Sequence, residues 1–187
     1  GGGASEVERG QLEAALAEAQ EGRDVLLALS QEDISAYSKV MTAVRCPPGA
    51  EGRGGMLAKS LAGASEVPMQ VAERCIRVLR CALAVIQLVP KSAAGDVAAA
   101  VHLFQAAIDT SLQNGPHSDV DLHAPPQAAI DTSLQNVAIN LQATKRAEER
   151  AGGGLSGCRD LPARMAEAAA LRRELVPKLH EAVAERL

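Results

Sequence analysis

Several polar residues in this sequence have the type and spacing to do chemistry. Asp33 stands in the phrase EDISAY, residues 32–37, with Tyr37 four positions on. Residues four apart share a helix face, so a carboxyl and a phenol would stand side by side. A carboxyl held beside a reacting nitrogen or water can carry a proton between two atoms, the general acid–base role. On residue type alone, Asp33 is also what a solvated helix surface offers. Asp96 follows Gly95 and precedes an apolar run. There it can satisfy free N–H groups and complement the helix dipole, or face a ligand. Asn136 and Asn140 are again four apart. Each amide offers both a donor and an acceptor, and on an otherwise apolar face both must be satisfied, by a ligand or by neighbouring helices. The run HSDVDLH, His117–His123, alternates histidine and aspartate in a way that suits metal ligation. It lies in a Pro-flanked spacer with no supporting shell legible around it, and no metal site is expected there.

The elements that must position these residues read as helices. Gly1 to Gly10 reads as a flexible lead-in to a single domain covering 11–187. From Gln11 onward Leu12, Ala15, Leu16, Ala19, Leu26, Leu29, Tyr37, Val40, Met41 and Val44 recur at spacings of three and four, with Gly22 as a possible division between two helices. Pro47, Pro48 and the glycines of Cys46–Gly55 end that stretch in a loop. A second helical stretch runs from about Met56 to Leu88, with Pro68 predicting a kink or break near its start. A third begins near Gly95, and a fourth includes Asn136 to Arg150. After the linker AGGGLSG, a last helix spans Leu161 to Leu187 with Leu161, Met165, Ala168, Leu175, Leu179 and Val183 on one face and a kink expected at Pro177. With no strand signal, the expected fold is all-α, an up-and-down helical bundle.

One feature breaks the periodicity. QAAIDTSLQN occurs at Gln105–Asn114 and again, letter for letter, at Gln127–Asn136. Repeats of an old solenoid diverge, so an undrifted copy reads as a recent duplication or a gene-model error. Pro116, Pro125 and Pro126 make residues 115–126 a surface insertion. Only the second copy runs directly into Asn136–Leu141, so that copy is expected to join the bundle.

Composition narrows the function classes. The net charge of −4 and the absence of a basic stripe with interleaved aromatics argue against nucleic acid. The longest apolar stretch, Val67 to Val89, is interrupted by Glu73, Arg74, Arg77 and Arg80 and is not a membrane span. Tyr37 and Phe104 are the only aromatics in a chain that is 47% apolar, so the core must be Ala, Leu, Val and Ile. Cys46, Cys75, Cys81 and Cys158 form no CxxC pair and read as thiols of a reducing compartment, with the cytoplasm as default.

Four phrases in fixed order carry a further reading: QEDISAYSKVMTAVRCP at 31–47, ASEVPMQVA at 64–72, GDVA at 95–98 and NVAINL at 136–141. Together they resemble the cyclodeaminase/cyclohydrolase family of folate enzymes, over roughly residues 24–187. The family phrase E-D-x-x-A-F/Y is similar to the surroundings of Asp33, and the resemblance implies that Asp33 is the catalytic acid–base. It implies that Asp96, Asn136 and Asn140 bind the folate, the amides matching the edge of a pterin ring. Gly95 stands where the family has serine, and Pro48 where its loop after the aspartate helix often has lysine. Lys39, Arg45, Arg53 and Lys59 are surface cations that could attract a folate's glutamate tail. The opening GGGAS resembles the stub of a family motif, P-G-G-G-S, whose apolar helix is expected to be missing.

The implied activity is conversion of 5-formimidoyl- to 5,10-methenyltetrahydrofolate with ammonia release. The alternatives are methenyltetrahydrofolate cyclohydrolase and a catalytically silent helical module for oligomerisation or partner binding. The resemblance implies no cofactor beyond the folate substrate, and a homodimer or higher homo-oligomer.

Overall fold

The computed structural model describes residues 5–112 and 160–187. Among them the architecture is an all-α bundle: α1 (Glu6–Arg45), α2 (Arg53–Val85), a single 3-10 turn (Lys91–Ala93), α3 (Ala94–Leu112) and α4 (Leu161–Ala184). The helix that sequence places over Asn136–Arg150, the second decapeptide, the histidine–aspartate run and Cys158 lie outside the described residues.

Helix α1 starts within the stretch read as a lead-in. Ser5 caps it: its hydroxyl accepts from the Glu8 N–H at 3.2 Å while the Glu8 carboxylate accepts from the Ser5 N–H at 2.6 Å. This reciprocal pair satisfies two of the free donors at a helix start. At 40 residues, α1 is about 60 Å long. It runs through Gly22 without a division, because Gly22 serves packing. A Cβ built there would lie 2.7 Å from Val78 Cγ2 on α2. The buried residues of α1 are Gly22, Leu29, Ala36 and Ala43, seven apart and mostly small. The helix therefore presents small side chains to α2, and Tyr37 and Val44, expected on the buried face, are exposed.

The turn from α1 to α2 is tight. Gly49 and Gly52 adopt φ of +120° and +75°, a region that side chains with a Cβ avoid. Arg53 closes it by donating from Nε to the Cys46 carbonyl at 2.7 Å and from Nη2 to the Val44 carbonyl at 3.4 Å. Its guanidinium thereby satisfies carbonyls at the end of α1. Helix α2 continues through Pro68 without a break.

Helix α2 is the centre of the bundle and packs on α1, α3 and α4, while α3 and α4 pack on each other. The core joins Met69, Ala72, Cys75, Ile76 and Leu79 of α2 to Val101 and Ile108 of α3 and to Leu161, Ala168, Leu175, Val176 and Leu179 of α4. Pro177 sits within α4, whose expected apolar face is buried apart from the half-buried Met165. The first decapeptide supplies the C-terminal part of α3 as far as Leu112, in one helix with Val101 and Phe104, and its Ile108 is fully buried in the core. The second copy, expected to join the bundle, lies outside the described residues.

Candidate functional site

Among the clefts between α1 and its neighbours, three have volumes of about 450–490 Å³. One of about 490 Å³ lies between the N-terminal half of α1 and the C-terminal half of α2. Its carboxylate, Glu18, is taken by Arg74 at 3.1 Å and Arg77 at 3.0 Å. A second, about 470 Å³, is walled by Leu26, Leu27, Val78, Leu79, Val101 and Phe104 and holds no acid. The third, about 450 Å³, contains Asp33 and Tyr37. Each falls within the size range of small-molecule clefts. Only the third combines an apolar floor with an acid that is unengaged among the described residues.

That cavity is built by three helices. From α1 come Leu26, Leu29, Ser30, Asp33, Tyr37 and Val40. Helix α2 supplies Ala64, Val67, Pro68 and Val71, and α3 closes the far wall with Thr110 and Ser111. Asp33 and Tyr37 are exposed, so they stand at its rim, and among the described residues neither has a hydrogen-bond or ion-pair partner. Pro68 contributes chemistry as well as surface. Lacking an N–H, it leaves the Ala64 carbonyl without its usual donor one turn on, and both residues line the cavity. An apolar floor beneath a free carboxyl, a phenol and two serine hydroxyls suits a flat heterocycle with a polar edge.

The other expected site residues are placed differently. Asp96 is exposed in the first turn of α3. It is 15 residues from Ser111, about 22 Å along the helix axis at ~1.5 Å per residue, and does not line the Asp33 cavity. Asn136 and Asn140 lie outside the described residues. Of the cations, Arg53 is committed to the end of α1, whereas Lys39 lines a shallow cleft of about 330 Å³ beside Ser35, Ser38 and Thr42.

Sequence reasoning missed two features. Ser111 and Thr110 belong to the repeated decapeptide, where the duplication drew attention away from side-chain chemistry; only a helical wheel continued from Val101 would have pointed to Ser111. His102 and His180 are far apart in sequence, yet α3 and α4 bring their rings to 4.7 Å. Among the described residues no group of three or more metal ligands forms. Burial pushes the Cys75 thiol up to about 12, and burial followed by the charge of Glu18 raises that of Cys81, so neither is a poised nucleophile.

The family model for formiminotransferase-cyclodeaminase matches residues 3–115, more than half of the chain. The chain belongs to that family. No curated protein and no solved structure matched it. The matched stretch contains Asp33, Tyr37, Asp96, every residue of the Asp33 cavity and the whole first decapeptide. Asn136, Asn140 and α4 fall beyond it. Among the described residues, no helix is long and apolar enough to cross a membrane.

Proposed function

We propose that this chain is a 5-formimidoyltetrahydrofolate cyclodeaminase with Asp33 as its acid–base residue. The observation that carries the reading is the Asp33 carboxyl, unpaired among the described residues, at the rim of an apolar-floored cavity in a formiminotransferase-cyclodeaminase chain. In the reaction, the formimidoyl group reacts as its protonated amidinium form: N10 of the folate attacks the carbon on N5, a carbon–N10 bond forms, and the terminal nitrogen becomes an NH2 group. Asp33 takes the proton from N10 and delivers it to the former imino nitrogen. The bond from carbon to that nitrogen then breaks, ammonia leaves, and the 5,10-methenyl cation remains. A proton carrier with a free carboxylate suffices for this sequence, and the chemistry requires no metal or redox group. Tyr37 lines the same cavity as Asp33, which supports a role for it in covering the ring.

Finer parts of the reading rest on less. Asp96, Asn136 and Asn140 are proposed as folate contacts on the family phrases alone. Self-association is supported by Leu27, Ile34, Tyr37 and Val44, large apolar side chains left exposed along α1. Free thiols at Cys46, Cys75 and Cys81 support a reducing, cytoplasmic setting.

Ultraviolet monitoring of methenyltetrahydrofolate formation tests the activity, with the wild-type chain compared with Asp33→Asn. Formation that disappears in the folded variant is the expected result. No formation by the folded wild type would overturn the cyclodeaminase reading. Consumption of the methenyl compound instead would point to the hydrolytic sister reaction, and no action on either folate to a silent bundle.

A further inference from the structure

On the wall of the Asp33 cavity contributed by α3 stands Ser111, a buried residue whose hydroxyl makes no bond to its own helix. The hydroxyls of Ser38, Thr42, Ser60 and Ser65 return to the carbonyls of Ile34, Ser38, Met56 and Leu61, each at 2.8–2.9 Å. That is the usual way to satisfy such a group inside a helix. Ser30, which lines the same cavity from α1, shares the behaviour of Ser111. Ser65 and Ser111 are the buried polar residues among those described. Ser111 is only 7% exposed, yet its hydroxyl has no partner among the described residues. The neighbouring Thr110 hydroxyl turns back to the Ala106 carbonyl at 2.6 Å and to that of Ala107 at 3.0 Å. Ser111 instead lines the cavity, and its oxygen is open to that space and not sealed in the core. A hydroxyl that faces the cavity without a protein partner is available to pair with the polar edge of a ligand.

We infer that Ser111 is a substrate-binding residue of this cavity, hydrogen-bonding the polar edge of the folate ring system and orienting it toward Asp33. The inference rests on the folate reading above and extends it to a named contact outside α1. The ring would lie on Leu26, Leu29, Val67 and Val71 while Ser111 donates to a ring acceptor or accepts from a ring N–H. Ser111 makes and breaks no covalent bond. The assignment also distinguishes the two decapeptides, because the corresponding residue of the second copy is Ser133.

The full chain and its Ser111→Ala, Ser111→Thr and Ser133→Ala variants are titrated with 5-formyltetrahydrofolate, a non-reacting analogue, by calorimetry. KM and kcat are then measured on the 5-formimidoyl substrate, with circular dichroism as the check on folding. Removing one oxygen from a helical position favours the helix slightly, so Ser111→Ala retains the fold. The expected result is weaker analogue binding and a higher KM in Ser111→Ala, each by roughly 3–10-fold, the worth of one neutral hydrogen bond. Its kcat stays near wild type, Ser111→Thr recovers binding, and Ser133→Ala matches wild type. Wild-type binding by Ser111→Ala, in a protein whose turnover still depends on Asp33, would overturn this inference and leave the folate reading standing. Loss on Ser133→Ala in place of Ser111→Ala would overturn it in favour of the second copy. A wild-type chain that neither binds nor turns over folate would remove both.

Discussion

The α2–α4 seam and the α1–α3 flank treat the same kind of residue in opposite ways. On the seam, Arg164 of α4 reaches Glu66 and Glu73 of α2 through four N–H donations of 2.8–2.9 Å. Its guanidinium is held firmly charged, chiefly by the hydrogen bonds to Glu73 and then by those to Glu66. On the same stretches of these two helices, Leu161, Ala168 and Met69 belong to the core. On the flank, Asp33 has no cation among the described residues, and Leu27, Ile34 and Tyr37 around it are exposed. Carboxylates that hold helices together are spent on their partners. The one at the rim of the cavity is free to exchange a proton with something else.

Two substitutions should separate along that line, and the larger effect is on the flank. Asp33→Asn keeps the size and the helix but removes the titrating group; turnover should fall by about 100-fold or more. Its melting temperature should stay within error, since an exposed, unpaired side chain contributes within about ±0.5 kcal/mol. Arg164→Ala should do the reverse. It leaves Glu66 and Glu73 facing each other without a cation, and with the site a quarter exposed the loss is about 2 kcal/mol, well short of a fully buried pair. Turnover per folded molecule should be unchanged. An Arg164 variant that kept its stability but lost activity would break the distinction between the two regions.

The seam was more legible in the sequence than the flank, for a physical reason. A core of Leu, Val and Ile announces itself by periodicity, so the apolar face of α4 and the stretch from Val71 to Leu83 of α2 could be read directly. The inward face of α1 could not. It consists of Gly22, Ala36 and Ala43 with Leu29, and small residues carry little weight in a hydrophobic pattern even where they let two helices approach most closely. Larger residues on the other side of the same helix, Tyr37 and Val44, drew the reading outward. Asp33 was legible through its phrase, EDISAY, and not through periodicity. Ser111 was not legible, because only the folded arrangement of three helices puts it on the cavity wall with Asp33.

The close approach at Gly22 gives the next test, of how α1 is held on its packed side. Gly22→Ala gains up to ~1 kcal/mol of helix propensity but drives a methyl to 2.7 Å from Val78 Cγ2. Overpacking at a helix contact costs about 1–3 kcal/mol, so a net loss of about 1 kcal/mol is expected in denaturant titration. Combining it with Val78→Ala should cost less than the sum of the single changes, because the methyl that clashes is the one removed. Strict additivity would mean that α1 and α2 are not in contact there and that the flank is looser than described.

The smallest effect is expected at the start of α1, beyond the packed region. Ser5→Ala removes one half of the reciprocal cap and should cost about 0.5–1 kcal/mol, felt as fraying of the first turn. The same cap makes the end of α1 sensitive to acid. The Ser5 backbone N–H, and after it the Ser5 hydroxyl, hold the Glu8 carboxyl below its ordinary value of 4.5. A carboxyl whose value is depressed by folding binds protons more readily in the unfolded chain. Its contribution is therefore complete above 4.5 and is lost as the pH falls through the lower folded value. Amide exchange at Glu8 and Arg9, followed from pH 6 to pH 3, should show protection that declines in wild type and starts lower, with a shallower decline, in Ser5→Ala. Protection at Val101 and Leu179 should not follow Glu8, because those residues belong to the core that α2 closes on its other side. If the core amides lost protection in step with the cap, α1 and the bundle would be one cooperative unit, and the flank would owe its openness to something other than weaker attachment.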